Sequence, residues 1–258
     1  MSLHRFHLPS VAGRGAMELP EAAHAHVTRV LRLVKGDALR VFDAGREFDA
    51  IISAVEKRRV LIEVGAAVTP LPERAIELHL IMSPLKGDLT ELVIQKATEL
   101  GVARISPVVF ERTDTVARRD PSDNRMERWH RVAISAAEQS GRAMVPQLDH
   151  VTPLKSAMDA LGSIGPTERR VVATEPSLMT ADTEGPAGGA TGGRADGSLV
   201  AGAVRIVTVA VGPAGGFAAS DLTALRDAGF IPERLAPHTL RAETACIAAI
   251  AILGDRYR

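Results

Sequence analysis

The sequence predicts an α/β protein in two parts: a small β-rich module over residues 1–70 and a mostly parallel sheet domain over residues 75–258. Short runs of alternating polarity fill the first part, and strand-like runs alternate with helix-like ones in the second. Between them, Thr69-Pro70-Leu71-Pro72 sets two prolines where regular pairing cannot continue.

In the first module the runs are Leu39-Arg40-Val41-Phe42, Phe48-Asp49-Ala50-Ile51-Ile52 and Val60-Leu61-Ile62-Glu63-Val64, separated by Gly, Asp and Lys/Arg turns, as in small antiparallel strands. After the linker, residues 76–82 open the parallel sheet. Leu89, Leu92, Val93, Lys96, Ala97 and Leu100 recur at spacings of three and four, which predicts a helix with Asp88 as N-cap and Gly101 as its stop. Residues 104–110 read as the next strand. Residues 125–139 form a helix with Trp129, Val132, Ala133 and Ala136 on one face, ended by Ser140-Gly141. Residues 171–173 and 204–211 are apolar enough for strands buried on both faces. Ser220 is placed to cap a short helix reaching Ala228. Residues 181–202, dense in Gly and Ala, predict a mobile loop. Residues 243–253 predict an apolar helix packed inside the domain or against a partner subunit.

Composition excludes several function classes. Lys plus Arg and Asp plus Glu both total 31, so any nucleic-acid contact must come from local basic patches rather than bulk charge. The single cysteine, Cys246, excludes an intrachain disulfide and a multi-cysteine zinc site. It reads as a packed small hydrophobe. The longest apolar run, residues 245–253, is too short to cross a bilayer, and the start MSLHRFHLPS lacks a secretory pattern. The expectation is a soluble, cytoplasmic protein without a membrane partner. Neither G-x-G-x-x-G nor G-x-x-x-x-G-K-[ST] occurs, nor a zinc helix or nucleophile elbow. His24-x-His26 reads more readily as surface helix than as ligands, and no metal is expected.

The candidate chemistry lies where residues 204–211 run into Gly212-Pro213-Ala214-Gly215-Gly216, at the carboxyl end of a parallel strand. Open α/β sheets bind ligands there. Taken alone, such a loop is more readily a tight strand-to-helix turn than a ligand grip.

Several separated motifs give the loop a context. They are His4-Arg5-Phe6; His26-Val27-Thr28-Arg29-Val30-Leu31-Arg32 with Lys35-Gly36-Asp37; Lys86-Gly87-Asp88 leading to residues 95–102; and Glu111-Arg112-Thr113. They continue through residues 136–142, reading AAEQSGR, residues 211–217, reading VGPAGGF, and residues 240–245, reading LRAETA. In this order they resemble the SPOUT class of methyltransferases, and within it the bacterial 16S ribosomal RNA uridine-N3 methyltransferase family, over nearly the whole chain.

The resemblance implies an N-terminal PUA-like β-barrel that binds RNA and a C-terminal domain with a trefoil knot. It also implies a homodimer, S-adenosyl-L-methionine as cofactor, and as substrate 16S ribosomal RNA, assembled or partly assembled into the small subunit. A sister SPOUT activity on another base or a ribose hydroxyl, and an inactive RNA-binding protein, are the alternatives. The implied cofactor contacts are Thr174 and Glu175; Val211, Gly212, Pro213, Gly215 and Gly216; and Leu235, Leu240, Arg241, Thr244 and Ala245. Ala214 stands where the family loop carries glutamate, so catalytic candidates fall on Glu138, Arg241 and Glu243. Arg5, Arg29, Arg32, Arg112 and Arg142 are candidate RNA contacts, because guanidinium forks match phosphate, although each is about as readily a surface charge or an internal ion pair.

Overall fold

The computed structural model describes residues 3–114, 123–174 and 204–257. The predicted loop 181–202 and Glu175 lie outside the described residues. Contacts divide the chain into two units, residues 1–73 with 133–145, and residues 74–132 with 146–258. The sequence placed residues 133–145 in the domain spanning 75–258, whereas they cluster with the first unit. Helical periodicity cannot report which core each half of a long helix serves.

The first unit holds a five-stranded sheet in the order β1-β3-β4-β5-β2, from His4–His7, Gly15–Glu18, Ala38–Asp43, Arg46–Val55 and Val60–Val68. The β3–β4, β4–β5 and β5–β2 pairs are antiparallel, as expected, while β1 runs parallel to β3. One face buries Phe6, Leu39, Val41, Ile52, Ile62 and Val64, together with Val27. Val27 comes from a π-helix, His26–Val30, that follows the short helix α1, Glu21–Ala25. The region around His24 and His26 is thus helical, and among the described residues no group of His, Cys, Asp or Glu could hold a metal ion.

The second unit is built on a parallel sheet in the order β12-β10-β11-β6-β7-β8, from Ile231–Glu233, Glu168–Ala173, Ile206–Val211, Glu77–Met82, Arg104–Val109 and Gln147–Leu148. A two-residue strand, β9 (Thr152–Pro153), also pairs with β7. Strand alternation turns Ile81, Ala210 and Val172 to one side, where they meet Leu154, Leu225 and Phe230. That side is covered by α4 (Leu154–Leu161) and α5 (Ala219–Asp227), and α6 (Ala242–Arg256) packs on β6 and β11 alongside α2 (Leu89–Glu99). With helices over both faces, β6 and β11 are apolar almost throughout. Among the described residues no helix is long and apolar enough to cross a membrane.

Two expected caps are corrected. Asp88 makes no side-chain bond to the first turn of α2; its carboxylate instead accepts from Arg128 at 3.1 Å, while Thr90 Oγ1 accepts the Leu85 N–H at 2.9 Å. For α5 the cap is Asp221 rather than Ser220. Its carboxylate accepts the N–H groups of Ala218 at 3.0 Å and Glu111 at 3.1 Å, tying the helix start to the segment after β7. Gly101, at φ +88°, closes α2 as predicted, and Gly141, at φ +85°, follows α3 (Asp123–Ser140). Trp129 is buried.

Polar groups inside the second unit are paired in ways the hydrophobic pattern could not announce. Arg170, 1% exposed, is bound by Glu168 at 2.7 Å and donates to the carbonyls of Leu161, Gly162 and Ala228. One guanidinium thereby satisfies backbone acceptors at the ends of both α4 and α5. On the other side of the sheet order, His79 Nε2 lies 2.8 Å from Ser106 Oγ, which donates to Asp149. Because that hydroxyl gives its proton to the carboxylate, it accepts from His79, which fixes the Nε2–H tautomer. Burial drives the His79 pKa down to about 4, with the nearby Arg104 charge adding to it.

Candidate functional site

Strands β10, β11 and β12 are neighbours and parallel, so their carboxyl ends open on one edge of the sheet. Three segments leave that edge: Ala173-Thr174, the glycine loop after β11, and residues 235–240 after β12. With the first turn of α6 and Leu89 from α2 they enclose a cleft of about 490 Å³.

The loop's geometry explains its glycines. Gly216 sits at φ +72°, a conformation costly for a residue with Cβ, and its N–H closes a turn onto the Pro213 carbonyl at 2.9 Å. A Cβ on Gly212 would stand 3.0 Å from the Phe217 ring, so the bare Cα lets that buried ring approach. Phe217 in turn meets Phe110 edge to face, with centroids 5.3 Å apart. Behind the loop, Arg112 donates to the Gly215 carbonyl at 3.3 Å, and Glu111 is hydrogen-bonded by Ser220.

The cleft brings together Thr174, Val211, Gly212, Pro213, Gly216, Leu235, Leu240, Arg241, Glu243 and Ala245 from the candidates read in the sequence. Thr244, exposed on the same turn of α6, is not in the lining, and Gly215 faces Arg112 instead. Glu138 is not in the lining either. Its carboxylate accepts the His7 N–H at 3.0 Å within the first unit, where burial pushes its pKa up. That bond gives it a structural post in the first unit.

The arginines divide. Arg5 is 9% exposed and spends its donors on Glu47 at 2.8 Å and on the carbonyls of Ala137 and Arg142, while its guanidinium stacks 4.7 Å from the Phe42 ring centroid. Arg142 is bound to Glu73 at 2.8 Å with its side chain 11% exposed. Both are internal struts, and an RNA contact is not what this geometry supports. Arg29, Arg32 and Arg112 are exposed, and Arg32 holds the left-handed φ of +53°.

Leu89, Phe217, Ala236, His238 and Thr239 also line the cleft but were not singled out in the sequence. The available signal was position, since Ala236, His238 and Thr239 fall between Leu235 and Leu240.

The cleft fits a nucleoside-like cofactor on its own terms. Its walls are largely apolar, with bare backbone at the glycine loop. Among the described residues, the buried Thr174 Oγ1 has no hydrogen-bond partner, which a ligand could supply.

Comparison with known proteins agrees with this geometry. The family described as the RNA methyltransferase domain matches residues 72–254, and the RNA methyltransferase PUA domain matches residues 21–65. A protein from Synechocystis sp. named ribosomal RNA small subunit methyltransferase E is 31% identical over 228 residues, 88% of this chain and 68% of its own. Its namesake in Mycobacterium bovis is 28% identical over 96% of this chain and 88% of its own. The crystal structure of the Neisseria gonorrhoeae protein of that name, bound to S-adenosyl methionine, superposes with a TM-score of 0.79 at 28% identity, covering 98% of both chains. A putative methyltransferase from Legionella pneumophila in complex with the same cofactor gives 0.79 at 27% identity, over 99% of this chain and 98% of its own. The matched family spans every residue of the cleft, and the chain belongs to the RNA methyltransferase family.

Proposed function

We propose that this protein methylates N3 of a specific uridine in 16S ribosomal RNA, with S-adenosyl-L-methionine held in the cleft at the ends of β10, β11 and β12. The observation that carries the reading is the convergence of three separate strand ends and the start of α6 on one cleft with an unpartnered Thr174 hydroxyl. The cofactor-bound structures of relatives support the choice of ligand.

Thr174, Val211, Gly212, Pro213, Gly216, Leu235, Leu240, Arg241 and Ala245 would hold the cofactor, with Glu175 retained from the sequence. When bound, S-adenosyl-L-methionine supplies a methyl group activated by a sulfonium. The chain's own work is to position the uridine in line with it, and such positioning can supply much of the rate. Leu89, Leu235, Leu240 and Phe217 keep the cleft apolar, which strengthens every electrostatic contact made inside it. Arg241 offers a permanent positive charge beside the uridine anion that forms when the imide proton leaves. Arg29, Arg32 and Arg112 are exposed forks for RNA phosphates.

The same reading includes a PUA-like barrel in the first unit, a trefoil-knotted chain end and a homodimer. It also includes a substrate presented in the assembling small subunit in the cytoplasm. Calorimetric titration with S-adenosyl-L-methionine should give one saturable site per chain. Mass mapping of ribosomal RNA from a deletion strain should show one 16S uridine lacking a base methyl. An unchanged 16S RNA with a methyl lost elsewhere would overturn the substrate assignment.

A further inference from the structure

A uridine N3 that keeps its proton has no lone pair free for attack, so the reaction needs somewhere to put that proton. We propose that His238 is the group that takes it, an assignment that rests on the methyl-transfer reading of the cleft.

Among the described residues the cleft wall holds three ionisable side chains, His238, Arg241 and Glu243. Among the described residues, the segments after β10 and β11 and the start of α2 bring only neutral ones, Ala214 among them. Arginine keeps its proton and cannot act as a base. Glu243 is half-buried in the first turn of α6, close enough to Cys246 for its charge to add to the burial that disfavours the thiolate. His238 is exposed on the loop between β12 and α6 and still lines the cleft, so an incoming base can reach it. Proton transfer works best through a group that exchanges protons near the operating pH, and among side-chain types that is imidazole.

The loop is built to present this side chain. Arg234 Nε donates to the Ala236 carbonyl at 2.9 Å and Nη2 to the Pro237 carbonyl at 3.1 Å. These bonds pin the two residues before His238, and Pro237 also has its φ fixed by its ring. The charged groups on the described elements around His238 are Arg234 on its own loop and Arg241 and Glu243, which line the same cleft from the start of α6.

In the step, the uridine N3–H bond breaks and the proton passes to an imidazole nitrogen of His238. The N3 electron pair forms the new bond to the methyl carbon while the sulfonium–methyl bond breaks and leaves its pair on sulfur. The products are N3-methyluridine, S-adenosylhomocysteine and an imidazolium, which returns its proton to water.

The test uses the full chain as wild type, His238→Gln, His238→Ala and Glu243→Gln, with undermethylated small subunits as substrate. Binding of S-adenosyl-L-methionine is measured by calorimetry. The histidine ring-proton signal missing from the His238→Gln spectrum is followed by NMR as substrate RNA and S-adenosylhomocysteine are added. We expect His238→Gln and His238→Ala to bind the cofactor within about threefold of wild type and to lose about 100-fold or more in kcat. The acidic limb of the pH-rate profile should vanish, and the His238 signal should shift on substrate binding. Unchanged kcat and pH profile in His238→Gln, or loss of cofactor binding in step with activity, would overturn the assignment. So would a profile abolished by Glu243→Gln alone. A wild type that binds no cofactor would sink the methyl-transfer reading itself, and this inference with it; a wild type that binds and methylates isolates the fate of His238.

Discussion

Acid should loosen this protein through His79, which the hydrogen bond to Ser106 and the surrounding sheet hold in the neutral form. The folded chain accepts a proton there only near pH 4, against 6.5 for an ordinary histidine. As pH falls, the unfolded chain takes up the proton first, so stability is intact above 6.5, declines from there to about 4, and is flat below for this group. A pKa unit corresponds to about 1.4 kcal/mol, so the window spans about 3 kcal/mol, and about 2 kcal/mol of it is gone by about pH 5. That is a large share of the about 5–15 kcal/mol that holds a typical domain together. Asp149, whose burial is outweighed by bonds from Arg104 and Ser106, and Glu168, similarly held by Arg170, both sit below the usual carboxylate range and add their own acid losses. The informative quantity is therefore the difference between wild type and His79→Gln, which keeps an N–H for Ser106 but cannot titrate. Urea unfolding followed by circular dichroism at about pH 7, 6 and 5 should show wild type losing about 2 kcal/mol more than the variant over that range. Equal losses in the two proteins would refute the claim that a buried neutral imidazole sets the acid limit.

Other outcomes follow from the cleft and its supports. Thr174→Val should leave unfolding in the absence of ligand unchanged or slightly improved, because the hydroxyl has no partner to lose, while weakening cofactor binding by calorimetry about 5- to 10-fold, as loss of one hydrogen bond of about 1 kcal/mol implies. Gly216→Val forces a branched side chain into φ +72° and should cost about 1–2 kcal/mol in urea unfolding together with cofactor affinity; Gly215→Val, directed at Arg112, should disturb binding less. Arg170→Leu should destabilise by about 3–5 kcal/mol, since it strands Glu168 and three carbonyls. Burial pushes the Cys246 thiol far up, so iodoacetamide should label it only once urea has unfolded the chain, as read by intact mass.

Strands β3 to β7, β10 and β11 and helices α2, α3 and α6 were legible because their apolar runs are long, with left-handed glycines Gly101 and Gly141 closing α2 and α3, whereas the short β1, β2, β8, β9 and β12 were not singled out. The parallel pairing of β1 with β3 was not, since register between distant segments leaves no local trace. In the site, the motif-bearing segments were legible and most of their residues meet in one cleft. Arg5, Arg142 and Glu138 were read as candidate site residues, yet each has a partner within the first unit that the sequence could not reveal. A charged side chain reads alike in sequence whether it meets solvent, a ligand or a partner such as Glu47, Glu73 or the His7 N–H. His238 was overlooked because one residue in a loop has no period to betray it.

The sheet order also governs when the cleft can come into being. β6 and β11 are neighbours in space, yet Met82 pairs with Val211, so well over a hundred residues of chain must be made and looped back before the centre of the sheet closes. Every wall of the cleft except Leu89 belongs to residues 173–245. Such distant pairing is slow to form, because loop closure comes before the contacts that reward it. A ribosome-bound chain halted before β11 would carry an apolar β6 without that partner and would lack the glycine loop, so on this topology ligand binding reports that the second unit has been made through its cleft-forming segments and folded.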